Sequence, residues 1–135
     1  MERTIVVLSD VKDLNQLLDG ASLDHARLFP SGNRLRLEME LTRACPEFQP
    51  ATRKRFLARA KMPWVKSRLT LNHITDAAVQ RLTESSPDRE SLFSCEAIAG
   101  GYRFMVTSQD GLRLRLTLEQ LSGQFSDIGK PINSP

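Results

Sequence analysis

The sequence predicts an α+β domain built mostly of antiparallel β-sheet, and three observations lead there. Leu35, Leu37, Met39 and Leu41 alternate with Arg34, Arg36, Glu38, Glu40 and Thr42; Leu112, Leu114, Leu116 and Leu118 alternate with Arg113, Arg115, Thr117 and Glu119. An apolar residue at every second position marks a strand with one buried face. Short turn-forming clusters separate the strand-like runs. Only the stretch after Ser9 carries leucines at clear helical spacing before a glycine. The apolar residues of both alternating runs are expected in the core.

The elements follow in order. Residues 4–8 are a β-branched run and read as a first strand. Ser9 and Asp10 are good N-caps, Leu14, Leu17 and Leu18 recur on one helical face, and Gly20 supplies a permissive end. A short helix is expected over about 10–19. From Leu23 the period becomes two, with Leu23, His25, Arg27 and Phe29 set against Asp24, Ala26 and Leu28. Pro30-Ser31-Gly32-Asn33 is turn chemistry, so residues 23–42 form a hairpin.

Residues 46–63 break the β pattern. Between Pro50 and Pro63, residues 51–61 fit either a second, basic helix with Phe56, Leu57 and Ala60 on one side, or a loop. Leu69, Leu71 and Ile74 open another strand. Residues 75–82 fit both periods, and their β surroundings favour strand. The last third reads as a meander. Its strands are 92–99, 102–107 and 112–118, its turns lie at Gly100-Gly101 and Ser108-Gln109-Asp110-Gly111, and a final extended piece covers 120–128. The 135 residues make a single domain, with a basic insert over 44–66 and a flexible tail over 129–135.

Charge is unevenly placed. No acid lies between Glu47 and Asp76, while Arg53, Lys54, Arg55, Arg59, Lys61, Lys66 and Arg68 supply seven bases. The rest of the chain carries twelve bases against sixteen acids, a net of −4, so the formal +3 comes from this segment. A local field of that kind acts over about one Debye length, roughly 8 Å at physiological salt. Phe56 and Trp64 interleave with the bases. They either stack on unpaired nucleobases or anchor the segment to the core while its charges face water.

The chemistry of familiar sites is missing from the sequence. It contains no P-loop, G-x-G-x-x-G, H-E-x-x-H, C-x-x-C or G-x-S-x-G motif. His25 and His73 each stand near an aspartate, Asp24 and Asp76, and would form a metal or acid–base site only if the fold brought them together. Glu38 and Glu40 read as part of a solvated charge ladder. Were the 34–42 and 112–119 strands antiparallel neighbours, arginines would face glutamates. Cys45 and Cys95 read as free thiols of a reducing, cytoplasmic environment. The longest apolar run, residues 5–8, is too short for a membrane span or a signal-peptide core. No catalytic residue, cofactor or metal is expected.

Asp24-His25-Ala26-Arg27-Leu28, followed by the Pro-Ser-Gly-Asn turn and an alternating strand, resembles a group of small bacterial domains without assigned activity. These open with a helix, continue with a His/Asp-Ala-x-aliphatic strand and a hairpin, and close with a charged β-meander. Their pair usually reads His-Asp, whereas this chain has Asp24-His25. The resemblance implies the hairpin-plus-meander fold and no activity.

Two function classes fit these features. The first is a non-catalytic protein-interaction module, immunity- or adaptor-like, acting on a protein partner or as a homodimer, because a sheet-rich domain has edges to cover. The second is polyanion binding, most simply nucleic acid, through residues 53–68.

Overall fold

The computed structural model describes residues 2–45, 63–81, 92–108 and 111–130. They form a mostly antiparallel β-sheet with one helix. In chain order the elements are β1 (Glu2–Ile5), α1 (Leu8–Leu17), β2 (Ser22–Ser31), β3 (Arg34–Ala44) and β4 (Trp64–Arg81). They continue with β5 (Phe93–Ile98), β6 (Gly101–Thr107), β7 (Leu112–Leu118) and β8 (Gly123–Asp127). None of the described helices is long and apolar enough to cross a membrane.

The first strand is shorter than its sequence suggests, because the helix begins earlier. Val7 has extended backbone and occupies the N-cap, so Ser9 and Asp10 lie inside the first turn. Valine has no oxygen to offer. Asp10 compensates from the third helical position, where Oδ2 accepts the backbone N–H of Val6 at 2.9 Å and of Val7 at 3.1 Å. Those two donors hold its carboxyl below the ordinary range. Val11, Leu14 and Leu18 then turn into the core.

The expected hairpin forms around a two-residue turn. Ser31 faces Arg34, and Gly32 takes φ +61°, the conformation that a type II′ turn requires at its first central position. A bulge at Asp24 shifts the register between Leu23 and His25.

β4 is the axis of the sheet. The two strands expected at 69–74 and 75–82 are one, and its pairing starts at Trp64. One edge of β4 pairs with β3; the other pairs first with β8 and then with β7. A bulge between Ile74 and Asp76 marks the change, next to His73, which takes φ +59°. Asn72 N–H donates to the Ser122 carbonyl at 2.9 Å, and Glu119 N–H donates to the His73 carbonyl at 3.1 Å. These bonds tie the β7–β8 corner to the bend.

The two most regular strands, β3 and β7, therefore flank β4 instead of each other. Their charges meet only at the strand ends, where Arg34 grips Glu119 with two bonds of 2.9 Å. β7 continues the sheet through β6 to β5, and β8 continues it to β1. β6 runs so close to β7 that a Cβ at Gly101 would overlap the Leu118 carbonyl oxygen.

Leu37, Met39, Leu41, Leu116 and Leu118 are fully buried, as expected, with Leu69, Leu71, Phe93, Phe104 and Phe125. Leu35, Leu112 and Leu114 are only partly covered. Leu35 lies beside the hairpin turn, and Leu112 and Leu114 border an open groove. The core-facing alternation then turns polar. Arg43 follows Leu41, Ser67 follows Val65, and Asp127 follows Phe125. Arg43 and Ser67 are completely buried.

Of the expected insert, Ala44 still belongs to β3, Trp64 to Lys66 open β4, and Cys45 N–H donates to the Pro63 carbonyl at 2.8 Å. The second helix expected at 51–61, and most of the tail expected at 129–135, lie outside the described residues.

Candidate functional site

Five of the seven predicted polyanion-binding bases, Arg53, Lys54, Arg55, Arg59 and Lys61, and the predicted stacking residue Phe56 lie outside the described residues. The structure places the other three. Trp64, Lys66 and Arg68 alternate with buried Val65, Ser67 and Leu69, so they share the outer face of β4. Trp64 is half-buried on that face and takes no part in the core cluster.

Both cations are engaged by acids from the hairpin. Lys66 Nζ lies 3.2 Å from Asp24 Oδ2, which also accepts the Thr42 hydroxyl at 2.8 Å. Arg68 Nη2 lies 3.0 Å from Glu40 Oε1, while His25 Nε2 lies 3.0 Å from Glu40 Oε2. The Arg68 hydrogen bond, helped by the His25 charge, holds the Glu40 carboxyl below its ordinary range. A row of alternating charge thus crosses β2, β3 and β4. Each exposed pair contributes little to stability, about 0–1 kcal/mol. Glu40 is a ladder residue, as its spacing suggests.

The histidines do not converge on one partner. His25 serves Glu40, whereas His73 Nδ1 stands 3.8 Å from Glu119, itself held by Arg34. Among the described residues, no group of three His, Cys, Asp or Glu side chains could hold a metal ion. Neither Cys45 nor Cys95 is in a disulfide; the first is buried and the second partly so. Burial, with the neighbouring Glu96 charge, pushes the Cys95 thiol up to about 11. It stays protonated at neutral pH and is a poor nucleophile.

The feature that sequence reasoning missed is a sheet edge that the described residues leave open, with an apolar groove behind it. Helix α1 packs against β1 and β5, the two strands that end the main run of the sheet. At β5 the cover is specific. Asn15 Nδ2 donates to the Phe93 carbonyl at 2.7 Å, and its Oδ1 accepts the Phe93 N–H at 3.0 Å, so the amide stands in for a neighbouring strand. β2 has no such cover from the described residues, and among the described elements it pairs with β3 alone.

Ala26 and Leu28 share the face of Met39 and Leu37 on β3, and both are exposed. They border a groove of about 370 Å³ whose floor and far wall include Leu37, Val79, Val106 and Leu114. Val79 is 70% exposed, the most of any large apolar residue among those described. The signal was present in the sequence: apolar residues alternate at 26, 28 and 79 like core residues. What sequence could not show is that Leu28 and Val79 stay exposed, with no described element packed over them.

Comparison with protein-family models, curated proteins and solved structures returns no match to this chain. The reading of the site therefore rests on its own geometry.

Proposed function

We propose that this chain is a non-catalytic protein-interaction module, adaptor- or immunity-like, that binds through the β2 edge and the groove behind it. The supporting observation is the contrast between edges. α1 packs on both other terminal strands, one of them through a dedicated amide, while among the described elements β2 pairs with β3 alone and its other edge lies beside exposed Leu28 and Val79. An unprotected edge with an apolar flank is a template for another strand.

The test uses Leu28→Lys with Val79→Glu, both on exposed positions that leave the buried core intact. Tagged native chain, expressed in its source cells and crosslinked, should retain protein in stoichiometric amount, identified by mass spectrometry. The double variant should lose it at an unchanged melting temperature. Equal recovery by both chains, or recovery of nothing by the native chain, refutes the reading.

Polyanion binding through residues 53–68 draws its support from the seven bases in the sequence. The engagement of Lys66 by Asp24 and of Arg68 by Glu40 makes it the second choice. It requires oligonucleotide affinity that falls with salt at a log–log slope near −0.7 for each phosphate contacted on a single strand. It also requires loss of that affinity when Arg53, Lys54 and Arg55 become alanine. Anisotropy with mixed-sequence oligonucleotides at about 50 and 200 mM salt measures both.

A further inference from the structure

We propose that the occupant of the β2 edge is a second copy of this chain, with β2 pairing antiparallel to β2 about a two-fold axis at Leu28. This rests on the interaction-module reading and names its partner and register.

The backbone decides which groups face outward. The two-residue turn makes Ser31 and Arg34 the closing hydrogen-bonded pair, and the pattern alternates from there. Pro30, opposite Leu35, then needs no N–H toward β3, which suits proline. It follows that Phe29, Arg27 and His25 bond to β3, while Pro30, Leu28 and Ala26 turn their backbone to the open side. The side chains of those three lie on the groove face.

A two-fold pairing of identical strands allows few registers, and their charges and donors differ. An axis at Arg27 sets Arg27 against the partner's Arg27, a like-charge pair directly opposed. An axis at Ala26 sets His25 against the partner's Arg27. With the axis at Phe29, Leu28 faces the partner's Pro30, which has no N–H to return. Ala26 then faces Gly32 in the turn, so little backbone bonding remains.

The axis at Leu28 avoids these faults. Leu28 exchanges both backbone bonds with the partner's Leu28, and Ala26 N–H donates to the carbonyl of the partner's Pro30, in both directions by symmetry. On the outer face each Arg27 lies across from the partner's Phe29, an arrangement suited to a cation–π contact. Among the described residues Arg27 makes no ion pair that would compete. On the inner face Leu28 meets the partner's Leu28, and the two apolar grooves run into one another. The contact is isologous and closes as a dimer.

The 135-residue chain is tested by sedimentation equilibrium between about 5 and 300 μM, the range expected of a small interface. The mass should rise from 15.2 kDa toward twice that value. Ala26→Pro removes only an outward-facing donor, so it should keep the native melting temperature and shift the dissociation constant at least tenfold weaker. A monomer at every concentration overturns the proposal, as does a dimer that Ala26→Pro leaves unchanged.

Register is tested without relying on that variant. Copies carrying Arg27→Cys are mixed with copies carrying Phe29→Cys under mild oxidation. The mixed disulfide should exceed both homodisulfides, and a dominant disulfide within either variant alone overturns the axis at Leu28. A monomeric result would leave the cell-crosslinking experiment free to succeed with a different protein, so failure of self-pairing and failure of the interaction reading are distinguishable.

Discussion

The Arg43 guanidinium grips the Asp127 carboxylate side-on in the core-facing layer, Nε to Oδ1 at 3.1 Å and Nη2 to Oδ2 at 2.9 Å. Their side chains are 0% and 8% exposed. Ser67 Oγ donates to the same Oδ1 at 2.7 Å, and Arg43 Nη1 donates to the Ala44 carbonyl at 3.1 Å. The trio joins β3, β4 and β8 where the apolar stripe runs out. Removing one partner takes the bidentate mate from a buried charge, so Asp127→Asn or Arg43→Met should each cost roughly 3–5 kcal/mol in urea unfolding. Replacing all three, with Arg43→Met, Ser67→Ala and Asp127→Leu together, should recover most of that loss. A single variant that costs under about 1 kcal/mol would show that the pair is solvated in solution.

Acid stability follows from the same carboxylate. Burial pushes Asp127 up, but the hydrogen bonds from Arg43 and Ser67 and the Arg43 charge outweigh it, so its carboxyl sits below the ordinary value. A folded-state value below the unfolded one, near 3.9, gives stabilisation that is full above about pH 5 and fades as pH falls through the folded value. The native chain should therefore lose stability below about pH 4 more steeply than the triple variant does. Parallel acid profiles for the two proteins would remove Asp127 as the cause.

Much of this architecture was legible in the sequence because local and long-range demands agree there. The alternations at 34–42 and 112–118, and the Gly32 turn, need only period and backbone freedom, and both strands fall where those signals put them. The first turn of α1 was misplaced because Asp10 acts from inside the helix, a role that mimics a cap in sequence. β4 looked divided because the bulge at Ile74 shifts its period midway. Strand order was invisible, since β3 and β7 have matching charge patterns yet meet only through β4. The open edge was invisible for a related reason: Leu28 and Val79 carry the pattern of core residues, and exposure depends on what the rest of the chain leaves uncovered.

Core leucines should separate into two classes. Leu37→Ala and Leu116→Ala, at fully buried positions, should cost roughly 2–5 kcal/mol. Leu112→Ala, at a partly covered position on the groove, should cost clearly less. Chemical unfolding of the three variants measures this directly. Equal costs would mean that the groove is filled in solution, by a partner or by a second copy.

Asn15 tests whether the covered edge matters. Asn15→Ala leaves the Phe93 N–H and carbonyl without their amide partner, which should cost about 1–3 kcal/mol. Amide exchange at Phe93 should quicken more than exchange at Phe104, which pairs on both sides within the sheet. Uniform quickening across the sheet would indicate global destabilisation and no particular role at the edge.

Cys95 offers a chemical check on the upper half of the sheet. It opens onto a hollow of about 560 Å³ between α1 and β5–β7, so a small reagent can reach it. Burial and Glu96 nevertheless push its thiol up to about 11. Because the thiolate is the reactive form, each unit of upward shift lowers reactivity about tenfold at neutral pH. A Cys45→Ala variant isolates the group. Its native-state reaction with an aromatic disulfide reagent at pH 7.5 should run roughly a hundredfold slower than that of an unperturbed thiol. The rate should rise as pH is raised toward 11, and denaturation should release one equivalent at once. Fast reaction in the native state would mean that β5 does not hold Cys95 against β6 as described, whereas no thiol after denaturation would mean that it is oxidised.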